Sequence, residues 1–317
     1  MTIVVAGYDG NDIFFIADSA ITSNGKTLLS GFKKIYSIPI QLHKPYINRI
    51  FCKYIPYQGY QGEAVLALAG STLIGQHIIN LITEHLGKIR FIHSHTPSGT
   101  KYSLLRHCNT YDNPFYKSHN IEYDEDLYLD DKLYQSINTN DIKDIIEYSV
   151  KEALSSASKH LLDDRDWARI IDNEYLFALN CPTSNKNYLY QIELNAVEEE
   201  GILTTAIPTA TLITSNKLGV IGLKDQQQDL ESFYNQLIAQ NSEKISLNMV
   251  DKVAKLVDTY REQGNLGVSK PIIFKTFNGK LIKRLNVDRD GRWIFLNEDQ
   301  TIRKIIDDTE EIISYLE

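Results

Sequence analysis

Short apolar runs bounded by turn-forming residues open the chain, the pattern of buried strands joined by tight turns. The β-branched Ile3, Val4 and Val5 predict a strand over residues 2–8. Asp9, Gly10 and Asn11 then supply a turn, and residues 13–17 read as a second, buried strand pairing back as a hairpin. In such a hairpin the end of the second strand lies beside the start of the first, so Asp18 falls near Thr2. Residues 19–31 are polar and glycine-containing, a loop or short hairpin, and Lys34 enters the next strand between Phe32 and Ile35.

Further along, the period changes. Residues 37–62, rich in Pro, Tyr and Gln, read as an extended loop or hairpin whose aromatics pack it to the body. A short strand over 64–69 precedes a helix over 73–86, with Leu73, Ile74, His77, Ile78, Leu81, Ile82 and His85 at helical spacing and Gly87 as C-cap. Residues 88–138 look like an insertion. Thr139 or Asn140 can cap a helix over 141–162, its stripe formed by Ile142, Ile145, Ile146, Ser149, Val150, Ala153, Leu154 and Ala157. Strands are predicted over 174–180 and 187–193. Residues 195–217 read as a link with a strand over 209–214, and a further strand leads to Gly222. Helices are predicted over 229–240 and 247–263, the last strands over 281–296, and a charged helix or tail at the C-terminus, about 297–317.

Composition narrows the function classes. The 317 residues, 43% apolar and 23% charged, suit one large globular domain or one domain with insertions. A net charge of −8 argues against a nucleic-acid binder. No run approaches the roughly 20 apolar residues of a membrane span, and the N-terminus lacks the basic and apolar regions of a signal peptide. Three scattered cysteines, Cys52, Cys108 and Cys181, suggest reduced thiols, so a cytoplasmic protein is expected. His93, His95, His107, Cys108 and His119 are zinc-type ligands, but their spacing matches no metal motif, so no metal is expected. The acidic run at 124–131 lacks the glycine and ligand spacing of a calcium loop and reads as a solvated face. Among motifs, no phosphate-binding glycine loop, Cys-x-x-Cys or Gly-x-Ser-x-Gly occurs, and no cofactor is called for.

The chemistry concentrates at the start. A threonine hydroxyl is a weak nucleophile and needs a base. An N-terminal threonine carries one, its α-amine, with an unperturbed pKa of about 7.7–8.0. A neighbouring ammonium lowers that value, and an ammonium in a dry site needs a carboxylate partner to stay charged. Thr2, small enough to follow an excised Met1, with Lys34 and Asp18, forms such a set.

These residues resemble the β-subunits of the proteasome, including the bacterial peptidase HslV and the ancestral bacterial proteasome-like proteins. In that family the N-terminal Thr is followed after sixteen residues by Asp in an Ala-Asp-Ser sequence, and after thirty-two by Lys. Thr2, Asp18 within Ala17-Asp18-Ser19, and Lys34 match both spacings. Lys33 is one residue short. Gly70, in the run 65–71, matches the glycine whose N–H helps form the oxyanion hole. The Val-Ser-Lys-Pro-Ile-Ile run at 268–273 looks closest to the ancestral branch.

The resemblance implies a four-layer αββα sandwich of two antiparallel sheets, an α+β fold. It also implies a threonine-type peptidase or amidase with catalytic Thr2, Asp18, Lys34 and Gly70, acting on a peptide or protein, in a homo-oligomeric ring or spiral. It names no unfoldase partner. Two departures stand against it. Leu223 occupies the place where the family often has Ser, and no Asp lies between Asp258 and Asp288, where the family usually has one beside a Ser. Ser269 is the hydroxyl in that loop. A catalytically inert subunit serving assembly or partner binding, or a small-molecule amidase on the same fold, are the alternatives.

Overall fold

The computed structural model describes residues 2–23, 26–97, 99–117, 121–160, 162–199, 202–279, 282–288, 290, 292–296 and 303–306. Strands β1 (Val4–Asp9) and β2 (Asp12–Ala17) form the opening hairpin, and β3 (Ile21–Ser23) with β4 (Lys26–Leu29) a small second one. There follow β5 (Ile35–Ile40), β6 (Leu42–Asn48), β7 (Ile50–Pro56), β8 (Gly62–Ala69), helix α1 (Thr72–Leu86), β9 (Ile89–Thr96) and β10 (Gly99–Leu105). Next are the short α2 (Pro114–Lys117) and α3 (Asp130–Gln135), the long α4 (Thr139–Ala157) and α5 (Asp164–Ile171). The second half contains β11 (Glu174–Cys181), β12 (Lys186–Glu199), β13 (Ile202–Ile213), β14 (Gly219–Ile221), α6 (Gln227–Ala239), α7 (Ile245–Glu262), β15 (Ile272–Phe277), β16 (Ile282–Val287), β17 (Trp293–Leu296) and β18 (Arg303–Ile306).

Two antiparallel sheets dominate. One runs β14-β1-β2-β15-β16-β17-β18, the other β13-β12-β11-β8-β5. Alternation along each strand explains the layering, because successive side chains point to opposite faces. Val4, Ala6, Ile13, Phe15 and Ala17 face the second sheet and meet Val65, Ala67, Ala69, Leu176 and Ala178 there. Ile3, Val5, Phe14 and Ile16 face the other way, onto Leu230 and Tyr234 of α6 and Val250, Val253 and Val257 of α7. Leu66, Leu68, Tyr175 and Phe177 likewise turn outward onto Ile78 and Ile82 of α1 and Ile142, Ile146 and Val150 of α4. The order is helices, sheet, sheet, helices: the expected αββα sandwich. Both faces of each central strand are covered, so the strands read as nearly unbroken apolar runs.

Segments 37–62 and 88–138 come together. β6 and β7 pair antiparallel, as do β9 and β10, and β6 joins β9 in parallel through Leu42 and His43 to give a third sheet, β10-β9-β6-β7. Phe51, Tyr54, Phe115, Tyr123 and Tyr128 cluster on it, with Phe51 and Phe115 stacked at 4.6 Å.

Several expectations are corrected. Asn138, not Thr139 or Asn140, caps α4, accepting from the Asn140 N–H. The apolar stripe of α1 is rotated: Leu73 is 83% exposed and His77 is exposed, while Gly75, Ile78, Ile79, Ile82, His85 and Leu86 face inward. Gly87 is the C-cap of α1 as expected, in the right-handed conformation. Residues 195–217 are no mere link: they hold the end of β12 and all of β13, which pair from Leu189↔Ile213 to Glu199↔Ile202. At the C-terminus, Arg303–Ile306 form a strand against β17 in place of a helix or tail, and residues 307–317 lie outside the described residues. Among the described residues no helix is long and apolar enough to cross a membrane.

Candidate active site

The β1–β2 hairpin brings the end of β2 back to the start of β1, Val4 opposite Ala17. Asp18 follows immediately and is fully buried. Its backbone N–H donates to the Ile3 carbonyl at 3.1 Å, and its Oδ1 accepts from the Ile3 N–H at 2.9 Å. One carboxylate therefore grips the residue next to Thr2. The same Oδ1 accepts from Lys34 Nζ at 2.6 Å, while Oδ2 accepts from the backbone N–H groups of Ala20 at 2.9 Å and Ser269 at 3.4 Å. Charge-assisted bonds of this kind fix an anion in place.

Lys34 is 3% exposed, held just ahead of β5, and its carbonyl accepts from the Leu68 N–H of the neighbouring β8. Its ammonium donates to Thr2 Oγ at 3.1 Å. Burial pushes the Lys34 pKa below the usual lysine value, and the charge and hydrogen bond of Asp18 pull it back up. The structure thus joins Thr2, Lys34 and Asp18 in one chain of contacts.

A cavity of about 1450 Å³ opens at this point, with Thr2, Lys34, Gly70, Asn173, Glu174 and Lys224 in its wall. Gly70 closes β8 at φ +121°, where only glycine is comfortable, and a Cβ there would sit 2.6 Å from Asn173 Oδ1. Gly222 follows β14 at φ +90°, and a Cβ on it would come within 2.0 Å of the Thr2 carbonyl oxygen. Gly70 thus packs against Asn173, and Gly222 against Thr2.

Other features of the wall carry no signal in the sequence. Glu174 Oε2 accepts from the Gly222 N–H at 2.9 Å and Oε1 pairs with Lys224 at 2.7 Å, so one carboxylate braces the rim. Glu174 simply opens a strand, and nothing in its neighbours marks it. Two buried hydroxyls, Ser19 Oγ and Ser269 Oγ, have no hydrogen-bond partner among the described residues and flank Asp18 in the chain or in space. Ser19 was legible only as the last letter of Ala-Asp-Ser. Leu223 does not reach into the cavity: it is 4% exposed and belongs to the core beneath α6 and α7.

The histidines have other partners. His93 Nδ1 bonds the Tyr128 hydroxyl at 2.7 Å, and His85 Nδ1 bonds Ser149 Oγ at 2.8 Å. His119 lies outside the described residues, among which no group of three or more His, Cys, Asp or Glu could hold a metal.

No protein-family model matches the chain, and no curated protein matches it. Among solved structures the chain is similar to an Anbu mutant from Hyphomicrobium sp. strain MC1, at 15% identity, covering 92% of this chain and 88% of that one, with a TM-score of 0.48. It is also similar to Anbu (ancestral beta-subunit) from Yersinia bercovieri, at 12% identity, 99% and 92% coverage and TM-score 0.46. A third is eukaryotic HslV from Trypanosoma brucei, at 10% identity, 87% and 98% coverage and TM-score 0.40.

Proposed function

We propose that the protein is a threonine-type peptidase or amidase whose nucleophile is Thr2, exposed by removal of Met1. The observation that carries this reading is the contact chain Thr2 Oγ–Lys34 Nζ–Asp18 Oδ1, at 3.1 and 2.6 Å, in the wall of a large cavity. Few structural roles require a buried ammonium aimed at a threonine hydroxyl, and its charge is what an α-amine base needs nearby.

In this scheme the Thr2 α-amine takes the hydroxyl proton as Oγ attacks the substrate carbonyl. The Gly70 N–H stabilises the oxyanion. The amine passes its proton to the leaving amine, and an ester between Thr2 and the acyl group forms. Water, deprotonated by the same amine, then cleaves the ester. Lys34 keeps the amine and hydroxyl acidic through its charge, and Asp18 holds Lys34 protonated against the pull of burial. The substrate is a peptide or protein, or a small amide on the same chemistry.

The decisive measurement is intact-mass analysis of the full chain, followed by peptide mapping after treatment with a peptide aldehyde. The reading expects loss of Met1 and an adduct on Thr2. Retained Met1, or no adduct on Thr2, favours the second reading, an inert subunit that keeps the fold for assembly. The burial of Leu223 in the core, where the family often has Ser, is the observation on that side.

We further propose a cytoplasmic homo-oligomer. Leu28 and Leu29 are each 63% exposed on β4, and Thr27 Oγ of the same strand donates to the carbonyl of half-exposed Leu266. A neighbouring copy would cover this apolar face. Light scattering of the purified chain should give several times the monomer mass of 36.2 kDa, and a monomer would refute it.

A further inference from the structure

Cys108, His85 and Ser149 form a second arrangement of chemical groups, apart from Thr2. α1 begins in the cavity wall at Thr72 and carries His85 in its last turn, roughly 20 Å further on at 1.5 Å per residue. Cys108 is an exposed free thiol on the segment after β10, and its Sγ lies 3.6 Å from His85 Nε2. The imidazole is otherwise buried.

The hydrogen bonds determine its tautomer. Ser149 Oγ donates to the Ile145 carbonyl at 2.7 Å, so its single proton is used. It must accept at 2.8 Å from His85 Nδ1, which therefore carries the hydrogen. Nε2 is left with a lone pair facing the thiol. This is the order of a nucleophile, a base and a residue that orients the base.

The charges around the ring are Glu84 and Lys88 from α1 and its end, Arg106 and His107 beside Cys108, and Glu152 with Tyr148 from α4. Glu84 is engaged by His107 at 3.7 Å and Lys88 at 3.5 Å. Arg106 is different. Its guanidinium lies 3.4 Å from the Tyr148 ring centre, and its Nε has no hydrogen-bond partner among the described residues. A cation with no ion pair among the described residues, two residues before a thiol with a base, suits an anionic thiol reagent. Burial pushes the His85 pKa below its ordinary value, so the ring is neutral and able to take a proton at neutral pH.

We propose that Cys108 is a thiol–disulfide exchange site served by His85, and that its partners are small disulfides bearing carboxylates. The Cys108 S–H proton passes to His85 Nε2 and the thiolate attacks one sulfur of the disulfide. The S–S bond breaks, the departing thiolate takes the proton back from His85, and a mixed disulfide remains on Cys108. One disulfide is exchanged for another, and no further oxidant is needed.

Cys52 is the internal control, an exposed free thiol whose hydrogen-bond partner among the described residues is the Ile50 carbonyl at 3.6 Å. The full chain is treated with glutathione disulfide at pH 7, and both cysteine peptides are followed by mass spectrometry. Cys108 should be modified at least about tenfold faster than Cys52, a modest share of what a positioned base contributes. His85→Gln should bring the two rates together, and Arg106→Gln should slow glutathione disulfide several-fold without slowing neutral 2-hydroxyethyl disulfide. Equal rates at Cys108 and Cys52 in the unaltered protein would overturn the proposal whether or not the variants fold. An Arg106→Gln loss shared equally by both reagents would overturn the assignment of an anionic partner.

Discussion

Replacing Thr2 by Ala should lower turnover of any peptide substrate at least about a thousandfold, the scale on which loss of a nucleophile is felt. The change deletes the attacking oxygen and leaves the backbone, the α-amine and the cavity untouched. Alanine is also small enough to permit Met1 excision, so the N-terminus is still produced. Stability should shift by less than about 1 kcal/mol, because Lys34 loses one neutral acceptor and keeps the carboxylate of Asp18. Thr2→Ser restores a hydroxyl on the same amine and should keep most of the turnover. The comparison is of steady-state rates with thermal unfolding as control. Undiminished turnover in a folded Thr2→Ala protein would remove Thr2 from the reaction.

Asp18→Ala should have the largest effect on the fold itself. The carboxylate is fully buried and accepts from Lys34, Ile3, Ala20 and Ser269. Truncation leaves a buried ammonium without its counter-ion and three backbone donors without their acceptor. Breaking a buried pair in this way costs about 3–5 kcal/mol, or a fall in Tm of roughly 5–10 °C for a domain of this size. The cost arises from leaving Lys34 stranded, so adding Lys34→Met to Asp18→Ala should recover part of the stability while activity stays lost. A thermal melt of the four proteins in the cycle measures the coupling. Independent, additive effects would mean that the pair is not energetically joined.

The parts of the fold that could be read from the sequence are those fixed by neighbours in the chain. The β1–β2 hairpin follows from Asp9-Gly10-Asn11 between two apolar runs, and that hairpin alone places Asp18 beside residue 3. Lys34 stood out by its spacing from Thr2, and its ammonium contacts Thr2 Oγ and Asp18 Oδ1. What failed depended on partners far along the chain. Only 209–214 was legible as a strand in this region, yet β13 runs through Pro208, which an edge strand tolerates because a missing N–H there can cost no ladder bond. The eight-residue α5 went unassigned because half of its residues are charged and the helix is short, and its one buried side chain is Trp167. Leu73 fits the helical period by letter but sits in the first turn of α1, in the wall of the cavity and away from the core. The parallel pairing of β6 with β9 joins two segments that had looked like separate insertions, and no local pattern announces it.

The position of β1 within its sheet has a consequence for synthesis. The opening strand lies between β2 and β14, and Gly222 presses on the carbonyl of Thr2. On a ribosome, the hairpin with β2 can close early, but the neighbour on the other edge is supplied only after more than two hundred further residues have emerged. The head of the chain must therefore wait for its tail half before its surroundings are complete. A truncated or stalled nascent polypeptide would carry Thr2 without the Gly222 segment that packs against it.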